Sequence, residues 1–85
     1  MRVIVSKRAD KDLSKLNPFV RKKVLKVLRK FENGERVDIK KMRGESNQFR
    51  IRVGEYRILL RKTEDNYCVD EVGKRENIYF FGLIS

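Results

Sequence analysis

The segment from Gln48 to Lys62 has the pattern of a β-hairpin, and this pattern limits the fold more than any other feature of the chain. Apolar residues occupy every second position on both sides of a central pair: Phe49, Ile51, Val53, Tyr56, Ile58 and Leu60. This is the two-residue period of a strand with one buried face. The central pair, Gly54-Glu55, fits a two-residue turn with glycine at its first central position, as a type II′ turn requires.

Cations occupy the opposite face of this predicted hairpin: Arg50, Arg52, Arg57 and Arg61. If Val53 pairs with Tyr56 across the turn, Arg52 lies directly opposite Arg57. Because like charges directly opposite each other destabilise a ladder, we expect an anion between them, and an RNA phosphate is the anion we predict. The alternative is a solvated strand face whose arginines pair with acidic residues, and Arg61 fits that alternative and an RNA contact equally well.

The charge of the chain is consistent with an anionic partner. Its 85 residues include 22 Lys and Arg but only 12 Asp and Glu, which gives a formal net charge of +10. Such a charge attracts nucleic acid, acidic proteins or anionic membranes. We find no apolar run of the roughly 20 residues that a membrane-spanning helix needs, and the N-terminus has no signal-peptide pattern. The sequence therefore predicts one cytoplasmic domain over residues 1–85 that does not bind a membrane.

Two residue types are nearly or wholly missing, and this limits the chemistry. The chain has a single cysteine, Cys68, and no histidine. One cysteine excludes an intramolecular disulfide and a multi-cysteine metal site. Histidine is the commonest metal ligand and the commonest general acid–base group. We therefore expect neither metal nor cofactor, and we interpret Cys68 as a small buried residue.

The residues before the hairpin predict one strand and a helical hairpin. A short apolar run, Val3–Val5, indicates the strand, and Ser6 can cap the helix that follows. Asn17-Pro18 ends that helix and begins a second one, which continues to Asn33-Gly34. Apolar residues of the second helix recur at helical spacing: Val20, Val24, Val27, Leu28 and Phe31.

The remaining segments complete an α+β domain. Glu35–Asn47 has the composition of a polar connection, and Tyr67–Val72 indicates one more strand before Gly73. The tail, Glu76–Ser85, is aromatic and apolar. The predicted order is β-α-α-β-β-β, with both helices on one face of a mainly antiparallel sheet and the arginines on the other face.

Several of these segments, taken together and in order, resemble the RelE/ParE toxin superfamily of prokaryotic toxin–antitoxin systems. The resemblance begins at Ala9–Leu13 and continues through Met42-Arg43-Gly44 before the hairpin. The hairpin segment Phe49–Arg57 is close to the family pattern aromatic-R-x-R-V-G-D/N-Y-R. The ending, Val72–Arg75 followed by Ile78-Tyr79, is similar to the family's V-G-H/K-R…Y. The resemblance covers nearly the whole chain and implies the RelE-like microbial RNase-type fold.

The resemblance implies a toxin that cleaves mRNA in the ribosomal A site without a metal, as the RelE branch does. The positions that match the catalytic residues of that branch are Arg50, Arg52, Arg57, Arg75 and Tyr79. The ParE branch inhibits DNA gyrase instead and generally lacks the complete set. A ParE-like gyrase inhibitor and an inactive nucleic-acid-binding relative are the two alternatives.

The residues at the position of the family's candidate proton acceptor differ from the family pattern. RelE-like toxins carry a hairpin lysine as a candidate base, whereas this chain has Arg50 and Arg52. Because arginine has a reference pKa above about 12, it rarely gives up a proton. Tyr79, Glu76 and Lys74 are the alternatives. We assign Arg57 and Arg75 to the scissile phosphate and its leaving oxygen.

The resemblance also implies partners. Toxins of this family are held inactive by an antitoxin, and a disordered acidic partner that folds on binding would complement this basic chain. Ribosomal RNA and mRNA are the other predicted partners. The predicted RNA contacts are Lys22, Lys26, Arg29, Lys30, Arg61 and Lys74. For the helical cations among them, the simpler interpretation is the solvated face of the second helix.

Overall fold

The computed structural model describes residues 2–44 and 47–74. Their helices and strands are β1 (Arg2–Val5), α1 (Lys7–Ser14), α2 (Pro18–Glu32), β2 (Ile39–Lys41), β3 (Gln48–Val53), β4 (Tyr56–Lys62) and β5 (Asn66–Lys74). This is the predicted α+β fold, with one strand more than the sequence indicated. Within the described ranges, no helix is long and apolar enough to cross a bilayer.

The strands form one mixed sheet in the order β1-β5-β4-β3-β2. The pairs β2–β3, β3–β4 and β4–β5 are antiparallel, and only the pair between β1 and β5 is parallel. The first and last strands of the described chain are therefore neighbours. The β3–β4 hairpin lies on the far side of β5 from β1, so β4 takes the centre of the sheet.

The additional strand, β2, lies inside the segment that was predicted to be a polar connection. Ile39 pairs with Ile51 and Lys41 pairs with Phe49, which adds a short edge to β3. β2 has three residues, too few for an alternating pattern to be recognised. β5 was also predicted too short, because it continues through Gly73 to Lys74.

Side-chain caps begin both helices where the sequence predicted. The Ser6 hydroxyl accepts a hydrogen bond of 3.1 Å from the backbone N–H of Ala9. The Asn17 side chain accepts one of 2.8 Å from Phe19, and Pro18 occupies the first turn, where a missing N–H costs nothing. After α2, Gly34 has φ 79°, the left-handed conformation that commonly ends a helix.

The core lies between the helices and one face of the sheet. Ile51, Ile58 and Leu60 from the hairpin are almost fully buried. They share a cluster with the helical residues Ala9, Leu13, Val24, Leu28 and Phe31. Tyr67 of β5 contacts the rings of Phe31 and Phe49 edge-on, with centroids 4.8 and 5.8 Å away. Ile51, Ile58 and Leu60 of the hairpin, together with Val69 and Val72 of β5, are therefore the buried contribution of the sheet to the core.

α1 covers the part of β5 that extends beyond β1. The backbone N–H of Ser6 donates to Val69, and the Asp12 carboxylate accepts a hydrogen bond of 3.1 Å from the N–H of Val72. These two hydrogen bonds take the place of a neighbouring strand beyond Val69, where the pairing of β5 with β1 ends. A covered edge does not offer its N–H groups to another chain.

We expect Ile58→Ala to lower the free energy of unfolding by about 2–5 kcal/mol, because it leaves a cavity in a packed core. Ile58 is 0% exposed, whereas Ile4 on β1 is 48% exposed. The matched control Ile4→Ala should therefore cost less than about 1 kcal/mol. Urea unfolding of both variants measures the difference, and equal losses would contradict the burial of Ile58.

Candidate functional site

The hairpin has the register that the sequence predicted. Val53 pairs with Tyr56, and Arg52 pairs with Arg57. Gly54 has φ 58°, and no other residue type in the described chain has a positive φ. Glu55 therefore has a negative φ, and this combination fits a type II′ turn.

The sheet face opposite the helices, called the open face from here on, carries the arginines in two rows across three strands. One row is Arg52, Arg57 and Gly73, and the next is Arg50, Leu59 and Glu71. Arg61 and Cys68 form a third pair farther from the turn. Neighbouring strands are about 4.8 Å apart, so side chains of one row are in contact distance.

Arg57 lies at the centre of this face and is only 6% exposed. Charged side chains that are buried this deeply are usually paired, and Arg57 is not without a partner. Its two cross-strand neighbours are Arg52 on β3 and Gly73 on β5. Since Gly73 has no side chain, it leaves space on the open face beside the guanidinium. The arrangement concentrates positive charge where water has little access.

Arg50 and Arg52 contribute donors that the described part of the protein does not satisfy. The Nη1 atom of Arg50 and the Nε atom of Arg52 are enclosed and have no hydrogen-bond partner within residues 2–44 and 47–74. An unsatisfied buried donor costs about 1–3 kcal/mol. A bound anion, with a small turn of the guanidinium groups, would supply the missing acceptors.

Arg61 is paired with an acidic side chain of β5. Its Nε and Nη2 atoms donate to the two carboxylate oxygens of Asp70 at 2.9 and 3.2 Å. This hydrogen-bonded pair, with the charge of Asp70 as the second cause, raises the pKa of Arg61 above its ordinary value. Arg61 is exposed and lies beside the partly exposed Cys68 rather than beside Arg57.

The other predicted RNA contacts lie away from the open face. Lys74 pairs with Tyr56, which places it on the helix-covered face at the end of β5. The cations Lys22, Lys26, Arg29 and Lys30 are exposed on α2, on the other side of the sheet. The structure therefore brings together Arg50, Arg52 and Arg57 and separates them from these residues. Arg75, Glu76 and Tyr79 lie outside the described residues.

A β-bulge in β5 places an acidic residue on the open face that the sequence analysis did not consider. Leu60 pairs with Val69 but Leu59 pairs with Glu71, so Asp70 is an extra residue in β5. The bulge reverses the alternation beyond it. Val72 faces the core, and Glu71 shares the face of Arg57.

Phe19 is a second residue that the sequence analysis missed. It is 67% exposed at the start of α2, and the Nζ atom of Lys23 lies 4.8 Å from the centroid of its ring. Phe19 lies outside the helical spacing of the apolar residues of α2, and this departure was the sequence signal that could have predicted its exposure. An aromatic ring among lysines is a typical feature of surfaces that bind single-stranded nucleic acid.

Comparison with known proteins agrees with the fold. Residues 3–79 match the family described as ParE toxin of type II toxin–antitoxin system, parDE. The chain is 33% identical to Toxin RelE3 of Methanocaldococcus jannaschii over 84 residues, which cover 93% of this chain and 96% of that protein. The chain therefore belongs to the RelE/ParE superfamily of toxin–antitoxin toxins, and it is RelE-like.

Solved structures of related toxins have the same fold. The RelB–RelE antitoxin–toxin complex from Methanococcus jannaschii matches with a TM-score of 0.79 and 30% identity over 92% of this chain and 96% of the other. The RelBE2 toxin–antitoxin complex from Mycobacterium tuberculosis matches with a TM-score of 0.72 and 28% identity over 87% and 90%. The isolated Escherichia coli RelE toxin matches with a TM-score of 0.73 and 25% identity over 96% and 94%.

We expect Arg52→Gln to stabilise the protein at low ionic strength, because it removes one member of a like-charge cross-strand pair worth about 0.2–1 kcal/mol. The gain in the free energy of unfolding should shrink only partly in about 0.5 M salt, because salt screens buried and partly buried charge pairs less than exposed ones. Lys62→Gln, at an exposed position of the same hairpin, is the control and should change little. Urea unfolding at both salt concentrations tests this, and a loss of stability at low salt would contradict it.

Proposed function

We propose that this toxin is a metal-free endoribonuclease that cleaves mRNA in the ribosomal A site and so inhibits translation. The observation that carries the proposal is the pair of arginines, Arg52 and Arg57, directly opposite each other on the open face. Arg50 adds a third cation one row away. A site of this kind favours a ligand that carries negative charge on several oxygens, and a phosphodiester is such a ligand.

Arginine suits this task because its planar guanidinium donates two parallel hydrogen bonds to phosphate oxygens. Arg57 is held by burial at 6% exposure, so it is ordered before the substrate binds. Preorganised donors stabilise charge that develops in a transition state, and they do so best where water is excluded. The burial of Arg57 therefore supports a catalytic function beyond simple attraction of RNA.

The reaction uses the ribose 2′-hydroxyl of the message as the nucleophile. Its oxygen attacks the adjacent phosphorus in line, the bond to the 5′-oxygen breaks, and a cyclic phosphate and a 5′-hydroxyl result. The phosphorane carries two negative charges, which Arg57 and Arg75 stabilise together with Arg50 and Arg52. Tyr79 completes the predicted site, either as a base near these cations or as a stacking surface for a nucleobase.

The partner that controls the toxin is an antitoxin. Two of the structurally similar toxins come from complexes named for RelB and RelE or for RelBE2, which supports a cognate antitoxin for this chain. With a net charge of +10, the chain favours an acidic partner through complementary potential. Both the message and the ribosome place the protein in the cytoplasm.

A second surface, formed by Phe19, Lys22, Lys26, Arg29 and Lys30 on α2, supports a contact with ribosomal RNA. These cations and the exposed ring lie on the side of the molecule away from the open face. The toxin could thus hold the message on one side and the ribosome on the other. Lys74 and Arg61 are the remaining predicted RNA contacts.

Gyrase inhibition is the second candidate function, because the matching family carries the ParE description. The relatives with 30% identity or more carry the RelE name instead. The two functions need different surfaces. A gyrase inhibitor binds a protein and needs no preorganised phosphate site, whereas the nuclease depends on Arg57.

We expect Arg57→Ala to lower the single-turnover cleavage rate by at least about 100-fold, as loss of one preorganised donor typically does. Arg75→Ala should have a similar effect. Lys62→Ala removes a cation from the same hairpin but not from the arginine rows, and it should keep the wild-type rate. Primer extension on ribosomes programmed with a defined message measures the cuts, and circular dichroism confirms folding.

An intact message with the folded wild-type protein would contradict the nuclease proposal. If DNA supercoiling by gyrase then falls in the presence of the protein, the gyrase inhibitor is supported. If growth arrest survives Arg57→Ala and Arg75→Ala, the arginine face does not carry the toxicity.

We also expect Lys26→Gln combined with Lys30→Gln to weaken ribosome binding. Each lost contact with a single-stranded phosphate lowers the slope of log affinity against log salt by about 0.7. The double variant should therefore have a slope smaller by about 1.4. Lys7→Gln combined with Lys11→Gln removes two exposed cations from α1 and should leave the slope unchanged. A message with 2′-deoxy nucleotides in the A site prevents cleavage during the measurement, and equal slopes for both double variants would contradict the contact.

A further inference from the structure

The arginine rows explain how charge is stabilised but not where the proton of the 2′-hydroxyl goes. Arg50, Arg52 and Arg57 cannot take it, because a guanidinium stays protonated in proteins. The open face of the described chain must supply another group if the base lies there. The carboxylate that the bulge adds to this face is Glu71.

The register places Glu71 close to the arginine pair. Glu71 lies opposite Leu59, and Gly73, two residues farther along β5, lies opposite Arg57. Glu71 and Arg57 are therefore diagonal neighbours on one face, about 7–8 Å apart at the backbone and within reach of long side chains. Since Gly73 has no side chain, no group of β5 projects from that position between a phosphate on Arg57 and the carboxylate of Glu71.

The Glu71 carboxylate is oriented by one side chain from α1. The Nη2 atom of Arg8 lies 3.0 Å from Oε1 of Glu71, and Asp12 in turn lies 4.0 Å from Nε of Arg8. Within the described residues, this ion pair with Arg8 is the one polar contact of the Glu71 carboxylate. A base whose second atom is held by a third group is a common arrangement for proton transfer.

The bulge is the reason that Glu71 lies on the open face. If Asp70 took a regular place in the ladder, the alternation of β5 would continue from Val69 through Asp70 and would turn Glu71 toward the core. β-bulges occur often beside active sites, where they change the direction of a side chain. Asp70 itself is bound to Arg61 through both oxygens, whereas Glu71 makes a single ion pair, with Arg8, in the described part of the chain.

We propose that Glu71 is the general base of the RNA cleavage reaction, an assignment that rests on the proposed nuclease function. Oε2 of Glu71 takes the proton from the 2′-hydroxyl as that oxygen forms its bond to phosphorus. The electron pair of the breaking bond stays on the 5′-oxygen, which takes a proton from water. Glu71 then returns its proton to solvent, so the enzyme is unchanged. The charged groups that face Glu71 are Arg8 and Asp12 from α1, Arg57 from β4 and Asp70 on its own strand.

The test compares Glu71→Gln with wild type in single-turnover cleavage on programmed ribosomes. We expect the rate at neutral pH to fall by about 100- to 10,000-fold, the usual contribution of a general base. Message affinity should stay within about threefold, since arginines supply the phosphate contacts. Between about pH 6 and pH 9 the remaining reaction should depend on hydroxide, with a rate that rises about tenfold per pH unit, whereas the wild-type rate should rise less steeply.

Two controls separate a base from a structural carboxylate. Arg8→Gln removes the ion pair but leaves the Glu71 carboxylate, and it should keep the wild-type pH profile. Glu64→Gln makes the same chemical change at an exposed turn between β4 and β5 and should keep the wild-type rate. If Arg8→Gln and Glu71→Gln lose activity equally and with the same pH profile, the carboxylate only holds the ion pair and the proposal is overturned.

Failure of this assignment can be told apart from failure of the nuclease function. If wild type cleaves, Arg57→Ala does not, and Glu71→Gln cleaves at the wild-type rate, only the assignment of Glu71 is wrong. If the folded wild-type protein leaves the message intact, the nuclease function is wrong and the assignment is wrong with it.

Discussion

The structure depends on one constraint, the coupling of the two faces of the β3–β4 hairpin. Ile51 and Ile58 pair with each other and are fully buried against the helices. Because side chains alternate along a strand, a slip by one residue would expose the whole apolar set. The burial of these two side chains therefore fixes Arg52 opposite Arg57. The apolar core provides the free energy that keeps two cations together on the other face.

The arginines of this sheet lie in two different environments. Arg61 is exposed and forms a bidentate pair with Asp70. The Asp70 carboxylate therefore largely neutralises the charge of Arg61. Arg57 is buried between another arginine and a glycine. Position 73 carries no acidic side chain that would compete with an anionic ligand for Arg57. The placement of acidic residues along β5 thus defines where the site begins and ends.

Features that depend on local sequence were predicted correctly, because their physical cause lies within a few residues. The hairpin register, the Ser6 and Asn17 caps and the apolar stripe of α2 depend on alternation, side-chain caps and helical spacing. The parallel pairing of β1 with β5 joins residues more than sixty positions apart, and no local pattern encodes it. The same holds for β2, whose three residues take their conformation from β3.

The bulge in β5 shows why the candidate site could be predicted only in part. Strict alternation from Tyr67 would place Glu71 on the helix side and Val72 on the open face. The core requires the reverse, because Val72 packs against it together with Ile58. One extra residue in the strand resolves this conflict.

The bulge also bears on which side chains would bind the phosphate and which would accept the proton. Where a hairpin lysine could both attract phosphate and accept a proton, this chain has Arg50 and Arg52, which bind phosphate well but accept no proton. In the mechanism that we propose, a carboxylate beside them accepts the proton while the arginines bind the phosphate. In the proposed reaction the cations would stabilise the charge of the phosphorane, and a group that is uncharged after proton uptake would leave that stabilisation intact. On this argument the arginines of the hairpin and Glu71 of β5 depend on each other, so replacing Arg52 by Lys should partly relieve the loss caused by Glu71→Gln.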